Sequence, residues 1–294
     1  MFTLSPRSSG IARRTATALG VLGAALALTA TTAGGANAVP EPAKDRLKIQ
    51  PGQAYMGVGA KIHGKAAAEA PSMGAMAATD GVQGIDVSHW QGSINWTSVR
   101  NSGIQFAWMK ATEGTSYKDS SFNTNYPAAY YAGVIRGAYH FARPDLSSGA
   151  TQANYFVNNG GGWSRDNMTL PGVLDIEHNP YGAMCYGMST TQMRTWINDF
   201  YTTYKSRTGR DAVIYTTASW WNTCTGYWNG MYDKSPLWVA HWTTASSPTI
   251  PSGFPYWTVW QYTSTGSVSG VSGSVDRNKF NGTRDRLVAL ANNT

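Results

Sequence analysis

Four carboxylates of this 294-residue sequence fall at the predicted carboxyl ends of strands, where they could take part in acid–base chemistry. Asp86 ends the first strand, Asp175 and Glu177 close the run Val-Leu-Asp-Ile-Glu, and Asp276 lies at the last short strand. Because side chains alternate along a strand, Asp175 and Glu177 point to one face, with Cα atoms about 6–7 Å apart. Repulsion and burial raise the pKa of one member of such a pair, which can then act as a general acid. Glycoside hydrolysis requires this combination of one protonated and one ionised carboxyl group.

Taken alone, the Asp-x-Glu pair fits equally well an acidic pair that is neutralised by basic residues at a strand end. The convergence of Asp86 and Asp276 on the same end favours catalysis, because charged side chains are rarely buried together without a function. Metal-dependent hydrolysis is the weaker interpretation. His178 alternates away from Asp175 and Glu177, and the five histidines show no H-x-H or H-x-x-x-H spacing. We therefore expect no metal site.

Aromatic side chains favour a sugar substrate. Trp and Tyr together number 28 against eight Phe, and their rings offer an apolar face to sugar C–H groups beside a polar edge. Each ring singly is more often part of a core, but as a set at one rim we expect at least two to stack on substrate. The rings next to predicted strand ends are Trp90, Tyr139, Tyr215, Trp220, Trp221, Trp242 and Tyr262.

The elements that must position these side chains alternate between short β-branched or aromatic runs and amphipathic stretches. The clearest helix is predicted from Thr190 to about Arg207, with Ser189 as its N-cap and Gly209 after its end. Shorter helices are predicted over 96–102, 123–132 and 150–158. Strands are predicted over 84–87, 106–111, 134–141, 172–176, 212–216, 237–242 and 257–262, with a last one near residue 275.

This alternation indicates an α/β fold with a parallel sheet, either closed or doubly wound. Seven or eight strands in about 210 residues favour closure into a barrel. After Ala212 the links become short and rich in Gly, Ser and Pro, without a convincing long helix. We therefore expect an irregular barrel, in which residues at the carboxyl ends of strands face the functional pocket.

Composition divides the chain into three segments. Residues 1–38 contain three arginines, an apolar stretch too short for a membrane span and a final Ala-Asn-Ala, as in a secretory signal peptide. Residues 39–80, which hold four prolines and a single aromatic, are predicted to be a pro-segment or linker. Residues 81–294, with all twelve Trp, are predicted to form the catalytic barrel domain. We expect a secreted protein without membrane contact after signal cleavage, exported by either the general or the twin-arginine route.

Charge and cysteine content narrow the range of partners. Residues 81–294 carry 15 Lys and Arg against 12 Asp and Glu, a net charge of +3, without a basic run dense enough for nucleic acid. This mild charge permits attraction to an anionic cell wall.

In an exported monomer we expect Cys185 and Cys224 to form a disulfide. A Cys–His nucleophile is disfavoured, because it needs a free thiolate.

Five motifs together resemble glycoside hydrolase family 25, the Ch-type lysozymes or N-acetylmuramidases. They are Gly84–Gly92 (GIDVSHWQG), Lys110–Gly114 (KATEG), Arg136–Phe141 (RGAYHF), Leu174–Glu177 (LDIE) and Val275–Asp276 (VD). The resemblance covers essentially all of residues 81–294. It implies an irregular, TIM-like β/α barrel with about eight strands and about five helices. It also implies cofactor-free hydrolysis of the β-1,4 bond between N-acetylmuramic acid and N-acetylglucosamine in bacterial peptidoglycan.

Carried over by position, the resemblance implies that Glu177 is the general acid and that Asp175 orients or stabilises the reacting sugar. Asp86 and Asp276 would line the sugar site that precedes the cleaved bond. The further predicted substrate contacts are Tyr139, Glu113, Tyr215, Trp242 and Gln261.

Several alternatives stay open on the sequence. The Cα separation of Asp175 and Glu177 is near the range of inverting enzymes, whereas the 2-acetamido group of N-acetylmuramic acid favours substrate-assisted catalysis with retention. A chitinase-like hydrolase, a non-catalytic wall-binding barrel and, last, a zinc-dependent amidase are the competing functions.

Overall fold

The computed structural model describes residues 49–63 and 81–294, which belong to one compact unit. The predicted signal segment, residues 1–38, lies outside the described residues. In chain order the described strands are β1 (Val82–Val87), β2 (Phe106–Glu113), β3 (Tyr117–Lys118), β4 (Ile135–Phe141), β5 (Val173–Asp175), β6 (Val213–Thr216), β7 (Leu237–Ala240), β8 (Val259–Gly266) and β9 (Val275–Phe280).

Eight of these strands close into a barrel, which confirms the predicted fold class. Strands β1, β2 and β4 to β8 pair in parallel, and β9 is inserted antiparallel between β8 and β1. The short strand β3 pairs antiparallel with the carboxyl end of β2. The connection from β8 to β9 is too short for the crossover that a parallel neighbour requires, so the second half of the barrel is irregular.

Seven α-helices occur in the described residues, whereas the resemblance implies about five. One of them, α1, precedes the barrel, and α6 and α7 are short helices after Ala212, where the sequence suggests no long one. The helices are α1 (Val58–Ile62), α2 (Trp96–Asn101), α3 (Phe122–Tyr131), α4 (Gly149–Phe156), α5 (Thr190–Thr208), α6 (Ala218–Thr225) and α7 (Arg284–Asn292).

Helix α5 forms as predicted from its boundary residues. Ser189 caps the backbone N–H of Gln192, whose side chain bonds back to the Ser189 backbone, so two free donors of the first turn are satisfied. Gly209 ends the helix in the left-handed conformation. The buried stripe that packs against the barrel consists of Met193, Trp196, Ile197, Phe200, Tyr201 and Tyr204.

The hydrophobic core has two main layers, one between strands and helices and one inside the barrel. Alternation along β5 sends Leu174 and Ile176 to the outer layer and Val173 to the inner one. Large rings, including Trp108 and Trp238, fill the barrel interior. Polar side chains gather at the end of the barrel that is formed by the carboxyl ends of the parallel strands.

Residues 49–63, within the segment predicted to be a pro-segment or linker, pack onto that end of the barrel. Ala54, Met56 and Val58 are buried, and Met56 belongs to the interior cluster. The stretch has no apolar periodicity because most of it is irregular, with only the five-residue helix α1.

Cys185 and Cys224 form the predicted disulfide, with their Cα atoms 5.4 Å apart. The bond joins the loop that follows β5 to helix α6. Among residues 49–63 and 81–294, no helix combines the length and apolar character needed to cross a membrane.

Candidate active site

The four predicted carboxylates converge on one end of the barrel. Asp86 lies opposite Asp276 in the β1–β9 pair, and Asp175 is the last residue of β5, with Glu177 two residues beyond it. Asp276 lies at the amino end of its strand, not at a carboxyl end, and it reaches the same rim because β9 runs antiparallel. All four are buried, and Asp175 and Glu177 are 0% exposed.

Burial shifts the ionisation of the whole set. It raises the pKa of Glu177 to about 8 and that of Asp86 to about 6, because the charged form loses its hydration. Burial also raises the pKa of Asp175 well above its usual value, and the neighbouring Glu177 adds to this effect. The pKa of Asp276 is raised by burial and then by Asp86. The site can therefore hold a protonated carboxyl group at neutral pH, as a general acid requires.

Asp86 is held by a network of amide and aromatic donors. Its Oδ2 accepts hydrogen bonds from Asn278 Nδ2 at 2.7 Å and from Gln261 Nε2 at 3.0 Å. The Oε1 of Gln261 in turn accepts from Tyr215 Oη at 2.8 Å and from Trp242 Nε1 at 3.1 Å. Three of the predicted substrate contacts thus also fix the orientation of one carboxylate.

Asp175 has a contrasting environment. Neither of its carboxyl oxygens has a hydrogen-bond partner among the described residues, although both are buried. Buried polar atoms are nearly always paired, so an unpaired carboxyl group inside a cleft indicates a partner supplied by a ligand. A group that donates a hydrogen bond, such as an amide N–H, would satisfy it.

Glu177 is bound by backbone amides from the amino-terminal segment. Gly57 N donates to Oε1 at 2.6 Å, and Gly59 N donates to Oε2 at 3.1 Å. We call residues 52–61 the strap, because they cross the cleft above the carboxylates. The strap was not predicted to contact the site.

Glu113, predicted to bind substrate, lies in a buried ion pair. Its Oε2 is 2.6 Å from Lys110 Nζ, and its Oε1 accepts from Tyr181 Oη at 2.6 Å and from the strap residue Gly52 N at 3.2 Å. Burial lowers the pKa of Lys110, although Glu113 opposes that shift. Both carboxyl oxygens of Glu113 thus bind protein groups, one of which belongs to the strap.

The predicted aromatic set divides into two groups. Tyr139, Tyr215 and Trp242 are buried inside the site, and Trp90 is 52% exposed at its rim. The remaining rings pack elsewhere: Trp220 and Trp221 belong to the strand–helix layer, and the partly buried Tyr262 packs against that layer.

Sequence reasoning missed Lys110 and Asn278. Lys110 lies within the KATEG motif, and Asn278 is two residues after Asp276, so strand alternation places the side chains of Asp276 and Asn278 on one face. Both signals are present in the sequence. The strap offers no comparable pattern.

Within residues 49–63 and 81–294, no cluster of three His, Cys, Asp or Glu could hold a metal ion. The His178 ring stacks on His63, 5.5 Å away. His140 bonds Thr112 Oγ1 and Gln152 Oε1, and burial lowers its pKa to about 4. It therefore packs as a neutral, hydrogen-bonded ring.

Comparisons with known proteins agree on one family. Its model, described as "Glycosyl hydrolases family 25", matches residues 85–271. The chain is 68% identical to Lysozyme M1 of Streptomyces globisporus over 94% of its own length and 93% of the relative. It is 43% identical to an N,O-diacetylmuramidase of Chalaropsis sp, over 67% of this chain and 97% of the relative. The crystal structure of a bacterial lysozyme from Streptomyces coelicolor is 75% identical with a TM-score of 0.72, covering 74% of this chain and 99% of that one.

Proposed function

The chain belongs to glycosyl hydrolase family 25, and on that premise we propose that it is a muramidase. It cleaves the β-1,4 bond between N-acetylmuramic acid and N-acetylglucosamine in bacterial peptidoglycan. The proposal rests above all on the convergence of Asp175 and Glu177 with two further carboxylates on one end of the barrel, where Asp175 has no hydrogen-bond partner among the described residues. The names of its relatives, a lysozyme and an N,O-diacetylmuramidase, support the substrate class.

In the proposed reaction Glu177 protonates the glycosidic oxygen as the bond to the anomeric carbon breaks. Asp175 accepts the N–H of the 2-acetamido group, whose carbonyl oxygen attacks the anomeric carbon and forms a cyclic intermediate. Water then attacks the anomeric carbon and opens this ring, and the Glu177 carboxylate takes a proton from that water, which restores the acid. The unpaired carboxyl oxygens of Asp175 support this role, since the substrate would supply their partner. The outcome is retention, and an inverted first product in NMR would contradict it.

The remaining residues bind and orient the sugar in the proposed reaction. Asp86 and Asp276 line the site beside the cleaved bond, and Tyr139 contacts the ring. Tyr215, Trp242 and Gln261 bind the sugar and hold Asp86 in place through their hydrogen-bond network. Glu113 contributes at the edge of the cleft.

Mass spectrometry of fragments released from purified peptidoglycan tests this function most directly. The protein is first cut between residues 63 and 81 and separated from its strap, which covers the carboxylates. We expect glycan fragments with N-acetylmuramic acid at the reducing end. Fragments with N-acetylglucosamine at the reducing end, or released peptides without cut glycan, would contradict the proposal. Faster release from chitin would indicate the chitinase-like alternative, and loss of activity with a chelator the amidase.

We also propose that the protein is secreted as a monomer and needs no cofactor. The basic, apolar and small-residue sequence of residues 1–38 supports export. Amino-terminal sequencing of protein from culture medium tests this, with a start near Val39 or later as the expected result.

A further inference from the structure

The strap occupies the centre of the candidate active site. Its Gly57 and Gly59 amides bind both carboxylate oxygens of Glu177. Gly57 lies so close to the predicted sugar contacts that an added Cβ would be 2.8 Å from the Trp242 ring and 3.2 Å from Tyr215 Oη. The side chain of Met56, 1% exposed, reaches the barrel interior.

Both edges of the cleft also bind the strap. On one side, Lys110 Nζ donates to the carbonyl oxygens of Gly52 and Ala54, while Glu113 accepts from Gly52 N. On the other, the Lys61 ammonium group lies 5.6 Å from the centre of the Trp242 ring.

The exposed rim is covered as well. Trp90 Nε1 donates to the carbonyl oxygen of Gln53 at 2.9 Å, and the Tyr55 ring packs edge-on against Trp90. The strap thus contacts groups that span the cleft from the acid to the rim.

One consequence follows for catalysis. A polysaccharide cannot approach Glu177, because the strap leaves that residue fully buried and its amides occupy both carboxyl oxygens. The strap therefore blocks the site sterically.

We propose that residues 52–61 are an intramolecular inhibitor, which occupies the saccharide cleft until a protease cuts the chain between His63 and Gly81. This inference rests on the proposed muramidase function and adds its regulation. The chain is synthesised with the strap in the cleft, and cleavage of the chain allows the strap to leave.

The relatives are consistent with a separable strap. The match to Lysozyme M1 spans 277 residues, more than the 214 of residues 81–294, so it extends into the segment before the barrel. The Streptomyces coelicolor structure is matched over 99% of its length by only 74% of this chain. A related barrel therefore folds with a chain of about the length of residues 81–294.

Tethering makes even modest affinity sufficient for inhibition. Two groups that are joined by a short stretch of one chain meet at a local concentration on the order of 1 mM. If the free strap binds the barrel with a Kd of about 10 µM, roughly 99 of 100 tethered molecules are closed. Cutting and dilution then raise activity about a hundredfold.

The test inserts a recognition sequence for a specific protease between Ala70 and Pro71 of the full chain. Hydrolysis of purified peptidoglycan is measured before cutting, and again after cutting and gel filtration. We expect a rise of about a hundredfold, reversed by adding a synthetic peptide of residues 49–63. Equal activity of the cut and uncut chains would overturn the proposal.

A single substitution tests the same contact without cutting. In Gly59→Ala the new Cβ would lie 2.0 Å from the backbone oxygen of His178, so the strap cannot seat. We expect the uncut variant to approach the activity of the cut chain. Gly162→Ala is the matched control, because its Cβ meets only one atom, 4.0 Å away. Gly57→Ala, which is also strained by its φ of +85°, provides a second variant.

A binding measurement distinguishes failure of this inference from failure of the proposed muramidase function. Calorimetry measures the affinity of the 49–63 peptide for the cut barrel, with a Gly59→Ala peptide as control. If the cut barrel binds the native peptide and leaves peptidoglycan intact, the muramidase proposal is wrong while the strap keeps its site. If the native peptide binds no better than the control, the strap is not an inhibitor.

Discussion

Asp86 and Asp175 lie on the same rim of the barrel, yet their surroundings differ. Asp86 accepts two side-chain amide hydrogen bonds, while Asp175 has no hydrogen-bond partner among the described residues. An ionised, unpaired carboxylate is costly to bury, and its pKa is raised for that reason. The unpaired carboxyl group of Asp175 therefore destabilises the folded protein, and its proposed role toward the substrate explains why it is there.

Replacing that carboxyl group should therefore stabilise the protein in a pH-dependent way. The folded-state pKa of Asp175 is raised above its usual 3.8, so the group destabilises the folded state at pH values above about 3.8 and has no such effect below. The penalty grows as the pH rises toward the folded-state pKa. We expect Asp175→Asn in the full chain to gain about 1–3 kcal/mol of unfolding free energy at pH 7.

The gain should disappear near a pH of about 3, where Asp175 is protonated in both states. Urea unfolding at the two pH values measures it, with Asp233→Asn, an exposed site, as the control. A variant that is less stable than the wild type at pH 7 would show that Asp175 has a partner when folded.

The sequence predicted single residues well where strand alternation decides the direction of a side chain. Asp175 and Glu177 share a face because they are two apart, and Ile176 packs in the outer layer. The placement of Asp276 at a carboxyl end was wrong, since one sequence does not reveal that its strand runs antiparallel. Its position at the rim was nevertheless predicted. The amino end of an antiparallel strand lies at the same end of the barrel as the carboxyl ends of the parallel strands.

Among the elements, most strands and the helices before Ala212 within the barrel domain were predicted closely, whereas the short helices α1, α6 and α7 were not predicted. Buried β-branched runs identify strands such as β6 (Val213–Thr216) without tertiary information. Helix α6 has eight residues, ASWWNTCT, and these types favour helices weakly. Its formation depends on burial of Trp220 and Trp221 and on the Thr217 cap, which propensity alone does not convey.

The disulfide is the covalent link between α6 and the loop after β5. Cys185 and Cys224 are 39 residues apart, and closing a loop of that length stabilises a fold by about 3–4 kcal/mol. We expect the double variant Cys185→Ser, Cys224→Ser to lose about that much unfolding free energy in urea. The wild type should fall to the same value when reduced, and the variant should not respond to reductant. Equal stability of variant and oxidised wild type would contradict this.

The strap is the element that sequence patterns could least predict. Its contacts are backbone amides and carbonyls on side chains more than 50 residues away, such as Lys110 and Glu177. Hydrophobic periodicity identifies helices and strands that bury one face, whereas many of the contacts of the strap are hydrogen bonds of its backbone. Residues 39–80 were predicted to be a pro-segment or linker from composition alone, and the contacts of residues 49–63 now give that segment a specific place.

At the scale of the whole molecule, the strap should stabilise the barrel that it closes. A group that binds only the folded state adds about 2.7 kcal/mol when its concentration is a hundred times its Kd. For a chain of this size we expect the Tm to fall by about 5–10 °C after cutting and removal of the strap. Calorimetry of the uncut and cut forms measures the difference. An unchanged Tm would mean that the strap binds too weakly to close the cleft.

The most direct test of the account is the activity of Glu177→Gln on purified peptidoglycan, measured after the strap has been cut and removed. Gln keeps the size of the side chain and cannot supply the proton, so we expect activity to fall at least a hundredfold while Tm and binding of the 49–63 peptide remain measurable. Residual activity above about a tenth of the wild-type rate would contradict the role of Glu177 as the general acid.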